Sequence, residues 1–442
     1  MNANFQKKRF PIKIIFLVGL VLLLALLLFF AVNFKFGKGK DLVGKKGEII
    51  WWGLNFEESD LSTLIKEYQE KNPEIQITYI KQSPIDYRER LTNALASGTG
   101  PDIFELHSSW PPMFSNDLSA LPGSVMSSDE FKSLFYPVVS VDLALSKGII
   151  GIPLEYDALT LFINEDIFGS AAKTPPKTWD ELRDLSFIFT QRGEGGKMIQ
   201  SGIPLGMAEN IDYWPEVIAF MIFQNQGNPS FPSGFSTQRA LEYYKQFGAA
   251  RVWDSSLPRS TTAFARGMVA MYFAPARAAS EILKQNPDLN FKTILLPQLP
   301  KERPTDPDFS YATYWFHGVW ERSRNKDAAW SYLKFMASKE SLEKLNQNVK
   351  QRTGFERPSP RIDMAELFSK NPVLGSVVNL ALKAKSWYLA DNTHDGETGI
   401  NSQFKNIYSE LIDPKTNKYP TPNMADPDIA EILGKYKIPA VR

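Results

Sequence analysis

The alternation of strand and helix patterns that begins at residue 48 is the feature that most constrains how this chain can fold. Strand patterns lie at 48–52 (EIIWW), 75–79 and 102–106 (DIFEL), where apolar residues run together or alternate. Between them, apolar residues recur at helical spacing over 59–72 and 85–97. The order strand, helix, strand, helix, strand predicts a mostly parallel β-sheet with helices on its faces.

A second α/β unit is expected further along, because 442 residues are too many for one ordinary core. An extended stretch is predicted at 154–164, and Thr178 with Glu181 forms the capping box of a helix. Ligands of such sheets bind beyond the carboxyl ends of the strands, so 53–57 and 107–110 are the first candidates for a binding site. The other predicted elements are helices at 214–224, 237–247, 327–337, 372–387 and 400–411, and a strand at 268–273.

Residues 14–32 (IIFLVGLVLLLALLLFFAV) form an uncharged run of 19 residues. At about 1.5 Å per residue, a helix of this length just crosses a hydrocarbon core of roughly 30 Å. The run is longer than the apolar core of a signal peptide, and no small-x-small cleavage site follows it. We therefore expect a transmembrane signal anchor, with 1–13 in the cytoplasm, 33–47 as a linker and the large folded part outside the cytoplasm. A cleaved signal peptide is the alternative.

Composition and motifs exclude several classes of function. The formal net charge of +1 gives no global attraction to nucleic acid, and the absence of cysteine excludes disulfides, thiolate metal sites and a lipid-modified cysteine. The three histidines, His107, His317 and His394, are too scattered to predict a zinc site or a catalytic triad. The segment 391–396 (DNTHDG) partly matches a calcium loop, but Ser402 stands where the closing Glu belongs. We predict no catalytic residue, no metal and no cofactor.

Four segments carry a resemblance to a known family. They are SGTGPDIFEL (97–106), GIPLEYDALTLFINEDIF (151–168), PPKTWDEL (175–182) and TTAFARGMVAMYFAPARAA (261–279). Together and in this order they resemble the extracellular solute-binding proteins, the family that includes the maltose-binding protein, and the likeness runs over about 48–411. The resemblance implies a two-lobed α/β fold of the periplasmic-binding-protein type (type II).

The same resemblance implies a function without chemistry. It indicates an extracytoplasmic receptor of an ABC importer, which closes its two lobes around a small ligand, a sugar, and delivers it to a membrane permease. A membrane-tethered ligand sensor of the same fold and a carbohydrate-active enzyme with two carboxylates across a cleft are the alternatives. The absence of a G-x-x-x-x-G-K-[ST] motif indicates that the transporter's ATPase is a different chain.

In this family the chain crosses between the lobes three times, and the resemblance implies where those hinge segments lie. The crossings are expected at 154–158, 273–276 and 316–320. The lobes would then comprise 48–154 with 277–316 for the first lobe, and 158–272 with 320–442 for the second.

A sugar pocket combines aromatic rings for the C–H faces with carboxylate, amide or Arg groups for the hydroxyls. Matching the motifs of the family gives the following predicted ligand-binding residues: Trp52, Asn55, Glu57, His107, Ser108, Ser109, Trp110, Asp157, Glu209, Asp212, Tyr213, Trp214, Arg277 and Trp387, with Tyr388 on the same side as Trp387. For each Trp, packing in the core is the alternative, and for Asp157 it is fixing the hinge. Ala276 stands where maltose-type proteins carry a stacking Trp, which argues against maltodextrin, and Trp315 and Trp320 are the candidates to replace it.

Overall fold

The computed structural model of the protein describes residues 47–301, 303, 306–413 and 415–439. The predicted anchor at 14–32 and its flanking segments, up to residue 46, lie outside the described residues. Within the described ranges, no helix combines the length and the apolar character needed to cross a membrane.

Strands and helices alternate from residue 48 to residue 107, and runs of helices or of strands follow in the rest of the described chain. The strands are β1 (Glu48–Gly53), β2 (Gln76–Lys81), β3 (Ile103–His107), β4 (Ala144–Leu145), β5 (Gly148–Ile149), β6 (Leu159–Asn164), β7 (Gln191–Arg192), β8 (Met198–Gln200), β9 (Met271–Pro275), β10 (Phe291–Ile294), β11 (Ser310–Tyr311), β12 (Trp315–Val319) and β13 (Ala384–Lys385). The helices are α1 (Glu58–Lys71), α2 (Tyr87–Ser97), α3 (Pro111–Phe114), α4 (Ser128–Leu134), α5 (Pro137–Asp142), α6 (Glu165–Ser170), α7 (Trp179–Phe189), α8 (Trp214–Gln224), α9 (Phe235–Ala249), α10 (Ser260–Ala265), α11 (Ala278–Gln285), α12 (Lys326–Met336), α13 (Lys339–Thr353), α14 (Ala365–Phe368), α15 (Gly375–Leu380), α16 (Ile400–Ile412) and α17 (Asp426–Lys435).

The first sheet has the strand order β12-β3-β1-β2. β1 runs parallel to β2 and to β3, which confirms the three parallel strands predicted from the sequence. β12 adds an antiparallel strand beside β3, with Trp315 opposite His107. Successive side chains of a strand point to opposite faces of the sheet. In β1, accordingly, Trp51 is fully buried while its neighbour Trp52 is half-buried.

The second sheet has the order β10-β6-β9, and both neighbours run antiparallel to β6. All six residues of β6 (LTLFIN) are buried, as expected for a central strand covered on both faces. The capping box predicted at Thr178 and Glu181 is present at the start of α7, whose apolar face includes Trp179 and Leu182. The buried apolar residues of the two sheets form one continuous cluster.

The first connection between the sheets contains the predicted crossing at 154–158. It runs along β12 before it enters β6, because Ile152 bridges to His317 and Ala158 bridges to Ala312. Leu154, Tyr156 and Ala158 are buried in the apolar cluster. This connection is therefore a packed part of the core, and not a free linker.

The second connection differs from the prediction, which placed a crossing at 273–276 and residues 277–316 in the first lobe. β10 pairs with β6, so it belongs to the second sheet. The Ala-Pro turn ends β9 at the edge of that sheet, and α11 then returns the chain to the opposite edge as β10. In this part of the chain, the passage from the second sheet to the first lies between β10 and β12.

The third connection also differs from the prediction, which placed a crossing at 316–320 and residues 320–442 in the second lobe. Helices α12 and α13 pack against α1, beside the first sheet. Arg352 of α13 donates from Nε and Nη2 to the carboxylate of Asp60 on α1, at 2.8 and 2.7 Å. Because α15 packs against β6 and β10, the chain returns to the second sheet between 354 and 374.

Candidate functional site at the junction of the two sheets

Asp157, in the first connection, holds several backbone segments together at the junction. Its Oδ1 accepts hydrogen bonds from the N–H groups of Ala158 and Ala276, both at 2.8 Å, and its Oδ2 accepts from the N–H of Arg277 at 2.9 Å. Its carbonyl oxygen accepts from the N–H of Thr313 at 3.0 Å. Burial raises the pKa of Asp157 to about 6, against the opposing effect of the Arg277 guanidinium.

Arg277 follows β9 and points into the junction. Its Nη1 donates to the carbonyl oxygen of Thr313 at 3.1 Å and lies 3.6 Å from Oδ2 of Asp157. The guanidinium carbon is 5.9 Å from the centre of the Tyr213 ring, within the range of a cation–π contact. Nη2 is buried and has no hydrogen-bond partner among the described residues. Since buried donors are almost always paired, this atom can bind a further group.

The first-sheet side of the junction is aromatic. His107, at the end of β3, contacts the Ser109 hydroxyl through Nδ1 at 2.7 Å and the Thr313 hydroxyl through Nε2 at 3.0 Å. Burial holds the pKa of His107 well below its usual value, so the ring is neutral. The Trp315 ring meets His107 edge-on at 5.3 Å between centres and lies 6.0 Å from the ring of His394.

The second-sheet side contributes a chain of ionisable groups. The Asp391 N–H donates to Oε1 of Glu216 at 2.8 Å, and Lys405 Nζ donates to Oδ1 of Asp391 at 2.8 Å. Although burial raises the pKa of Asp391, the Lys405 ammonium brings it below its usual value. Burial, together with the charge of Asp391, raises the pKa of Glu216 to about 8. Glu216 Oε2 is buried with no hydrogen-bond partner in the described part of the chain.

Side chains from the two sides also bond to each other. Asn401 on α16 donates from Nδ2 to the Ser109 hydroxyl at 2.7 Å, and Arg88 on α2 donates from Nη2 to the Thr398 hydroxyl at 2.6 Å. Asn401 Oδ1 is buried and lacks a partner within the described ranges. These contacts join the loop and helix at 391–412 to the first-sheet side, so the structure has the two sides in contact.

Some of the predicted ligand-binding residues come together at the junction. These are His107, Ser109, Asp157, Tyr213 and Arg277. Ser108 lies beside them, but its N–H donates to the carbonyl oxygen of Tyr314 at 2.9 Å, as part of the strand contact between β3 and the segment before β12. The junction therefore contains residues that the sequence motifs predicted from four separate parts of the chain.

Three predicted Trp residues are buried against other apolar groups. Trp110 is fully buried, and its ring stacks on Phe114 at 5.7 Å between centres. Trp387 lies 4.4 Å from the ring of Phe404, and Tyr388 is buried beside it. Trp214 is buried at the first residue of α8. The Trp110 ring also lies 5.7 Å from the ring of Trp315, and a ligand contact for these three rings stays a prediction.

Predicted polar residues after β1 bind groups of the first sheet. The side-chain amide and the N–H of Asn55 both donate to Glu105, a fully buried carboxylate on β3. Glu57 takes part in the capping box of α1, and its carboxylate accepts from Lys81 at 2.8 Å. Trp52, half-buried, packs against the apolar cluster.

Two predicted acidic residues of the second sheet's side have structural partners. Asp212 Oδ2 accepts from the N–H and the hydroxyl of Thr261, at 3.1 and 2.8 Å, and Oδ1 accepts from Nε of Arg259 at 2.8 Å. It therefore caps the start of α10. Glu209 is exposed, with Lys415 Nζ at 3.3 Å from its carboxylate.

Sequence reasoning missed Glu216, Asp391, Lys405 and Asn401. A signal for Glu216 was present, because a lone acidic residue inside the apolar helix WPEVIAFMIF requires a specific partner if it is buried. Lys405 and Asn401 have no equivalent signal, and Asp391 stood out only as the first residue of the partial calcium pattern. The partial calcium pattern at 391–396 has another use, since Asp395 Oδ2 accepts from the N–H of Asn401 at 2.7 Å at the start of α16.

A cavity of about 900 Å³ lies elsewhere, beside α7 and the end of β10. Its apolar lining includes Pro175, Ile188 and Leu295. Because none of the predicted ligand-binding residues is among its lining residues in the described structure, its size alone does not make it the ligand site.

Comparison with known proteins gives one family match that spans most of the chain. The sequence model of the family described as bacterial extracellular solute-binding protein matches residues 57–343. A protein of Brucella abortus (strain 2308), whose name describes it only as a binding protein, is 26% identical over 301 residues, which cover 64% of this chain and 69% of the relative. A protein of Sinorhizobium fredii (strain NBRC 101917 / NGR234), named as the periplasmic-binding protein of an amino-acid ABC transporter, is 22% identical over 303 residues, with 64% and 67% covered.

Solved structures agree on the fold. The sugar-binding protein MalE of Xanthomonas citri superposes with a TM-score of 0.70 at 17% identity, over 88% of this chain and 98% of that protein. A solute-binding protein of an ABC transporter from Thermotoga lettingae, solved with α-D-tagatose, superposes with a TM-score of 0.66 at 19% identity, over 89% of this chain and 100% of that protein. At these identities the structures establish a two-lobed α/β fold of the periplasmic-binding-protein type, in which the two sheets described above are the cores of the lobes.

Proposed function

Because this chain belongs to the bacterial extracellular solute-binding proteins, we propose that it is the receptor of an ABC importer that binds an uncharged carbohydrate between its lobes and delivers it to a membrane permease. The observation that carries the proposal is the set of buried polar atoms at the junction that lack partners among the described residues. They are Arg277 Nη2, Glu216 Oε2 and Asn401 Oδ1. Other described residues, such as Trp51 and Tyr332, also have buried polar atoms without partners, and what favours a ligand here is that three such atoms from different elements lie at one junction.

The chemistry of these atoms favours hydroxyl groups as their partners. Arg277 Nη2 can only donate a hydrogen bond and Asn401 Oδ1 can only accept one. A hydroxyl group both donates and accepts, so a polyhydroxy ligand can satisfy both atoms. The rings of Tyr213 and Trp315 lie at the same junction and can pack against the C–H faces of a sugar.

The balance of charge favours an uncharged ligand. Arg277 lies beside Asp157, and Lys405 is paired with Asp391. Glu216 is in its neutral form at pH 7 because burial raises its pKa to about 8. A zwitterionic amino acid would need an unpaired charge of each sign in the site, whereas the charged groups at this junction already have opposite charges beside them. This argues against the ligand class in the name of the Sinorhizobium fredii relative.

We infer that the three connections act as a hinge and that the ligand stabilises the closed arrangement. A ligand shifts such an equilibrium only if it contacts both lobes. His107 and Trp315 are on the first lobe, and Glu216 and Asn401 are on the second, so a ligand at the junction meets this condition. Residues 14–32 would anchor the receptor in the membrane with its folded part outside, which would raise its local concentration at the permease.

The proposal is tested by a melting-temperature screen of the purified full chain in detergent. We expect a carbohydrate such as α-D-tagatose, maltotetraose or mannobiose to stabilise the protein, by about 2.7 kcal/mol at a hundred times its dissociation constant. The variant Asn401→Ala should weaken the effect, and Asn406→Ala, an exposed position on the same helix, should not. Stabilisation by amino acids alone would overturn the carbohydrate assignment and leave the receptor assignment intact.

A further inference from the structure

Glu216 is an acidic residue in an environment that disfavours negative charge. It lies in the first turn of α8, and the residues around it in that helix, from Trp214 to Ile222, are buried and otherwise uncharged. Its side chain has no exposed surface. Burial of an isolated carboxylate is costly, so an acidic group in such a place is either paired with a cation or uncharged.

The groups that face Glu216 do not supply a direct cation partner. Asp391 contributes its N–H, and its carboxylate is bonded to Lys405. Arg277 lowers the pKa of Glu216 through its charge, without a hydrogen bond between the two side chains. Its Nη1 donates to the carbonyl oxygen of Thr313 and lies beside the carboxylate of Asp157. The remaining titratable neighbours, Tyr213 and Tyr311, are buried phenols with pKa values raised by burial.

The hydrogen bonds leave one atom of Glu216 for a ligand. Oε1 accepts the N–H of Asp391 at 2.8 Å, so in the neutral acid the proton is on Oε2. Within residues 47–439 as described, Oε2 has no hydrogen-bond partner. Arg277 Nη2 is a second unpaired donor at the junction, and the pKa of Arg277 is affected by Glu216.

We propose that Glu216 is a specificity-determining residue that contacts the ligand as an uncharged carboxylic acid, with its Oε2 hydroxyl donating a hydrogen bond to an oxygen of the carbohydrate. Arg277 Nη2 supplies a second donor to the same ligand. The inference rests on the proposed function and goes beyond it, because it names the atom, its protonation state and the acceptor character of the ligand group. A ligand with an ammonium group at this position would be rejected, since it would meet two donors.

The protonation state is tested first without any ligand. Because the pKa of Glu216 is raised to about 8 in the folded protein, the unfolded chain loses this proton at lower pH than the folded one, and stability falls as pH rises from about 4.5 to 8. Glu216→Gln keeps both hydrogen-bonding positions and cannot ionise. We expect its melting temperature to exceed that of the wild type by a margin that grows from pH 5 to pH 8. Glu281→Gln, at an exposed position on α11, should show no such trend.

The ligand contact is tested by measuring the dissociation constants of α-D-tagatose, maltotetraose and mannobiose for the full chain between pH 6 and pH 9. For the sugar that binds, we expect the wild-type dissociation constant to rise about tenfold between pH 7 and pH 9, because the ionised form lacks the donor. In Glu216→Gln it should stay constant, since the amide donates at every pH.

Two results would overturn the inference while the proposed function survives. One is a sugar whose affinity for the wild type does not change with pH. The other is equal affinity for the wild type and Glu216→Gln at every pH, which is expected if Oε2 meets only a water molecule. If none of the three sugars binds any variant, the proposed function and the ligand contact both fail, and the unfolding experiment still reports the protonation state.

Discussion

Asp157 and Glu216 are both buried carboxyl groups at the junction of the lobes, but their surroundings differ. Both oxygens of Asp157 accept backbone N–H groups, three in total, and a guanidinium lies 3.6 Å away. Glu216 accepts one N–H, and its second oxygen has no partner within the described structure. The two residues therefore differ in how much of their bonding capacity the protein itself uses.

This difference separates two roles that the residue type alone does not distinguish. A carboxylate whose oxygens are all used by the backbone fixes the geometry of the connections, and a ligand could reach it only by breaking those bonds. A carboxyl group with an unused buried oxygen costs stability unless something else bonds to it. We therefore expect substitutions at Asp157 to act on folding, and those at Glu216 to act on ligand binding and on the pH dependence of stability.

The largest effect should come from Asp157→Ala. The change leaves three buried N–H groups without an acceptor and removes the carboxylate beside the Arg277 guanidinium, so we expect the free energy of unfolding to fall by about 3–5 kcal/mol. Denaturant titration of the full chain measures the loss. Asp157→Asn should lose less, because its amide oxygen still accepts two of the bonds. A loss below about 1 kcal/mol for Asp157→Ala would contradict the structural role.

A smaller effect is expected for Asp212→Ala. Asp212 caps α10, where Thr261 and Arg259 donate to it, and the loss of such a cap costs about 1–2 kcal/mol of unfolding free energy. Ligand affinity should not change, since both oxygens of Asp212 already have partners. Denaturant titration and isothermal titration calorimetry test the two parts. Glu209→Ala, an exposed position on the same loop, should change stability by less than about 0.5 kcal/mol.

Local patterns in the sequence predicted much of the fold. The three parallel strands and the capping box of α7 are confirmed, and the helix predicted at 214–224 has the bounds found in the structure. The helix predicted at 372–387 is wrong, because only Gly375–Leu380 is α-helical and the chain then turns into a short strand, Ala384–Lys385. The spacing of apolar residues shows which residues are buried, but it does not show whether one helix buries them all. Here they lie in a short helix, a turn and a short strand.

Long-range relations could not be read from the sequence. Whether the chain crosses between lobes after β9 or after β10 depends on which strand pairs with β6, and pairing is a property of the folded sheet. The same holds at the junction, where the N–H of Asp391 bonds to Glu216 across a long stretch of chain. The position of Arg277 follows from a family motif, whereas its unpaired Nη2 is visible only when all its neighbours are in place.

The smallest effect is expected where the two lobes touch at the rim. Arg88 of the first lobe donates to the Thr398 hydroxyl of the second lobe at 2.6 Å, and both groups are near the surface. Under the proposed hinge motion, Thr398→Val removes a bond of the closed arrangement only, worth about 1 kcal/mol, so the dissociation constant of the ligand should rise by up to about fivefold. Unfolding should hardly change, because Thr398 is exposed. Isothermal titration calorimetry measures the first part and denaturant titration the second, with Thr416→Val as the control at an exposed threonine of the same lobe. An unchanged dissociation constant would show that this contact does not contribute to closure, and would leave Ser109 and Asn401 as the contact to test next.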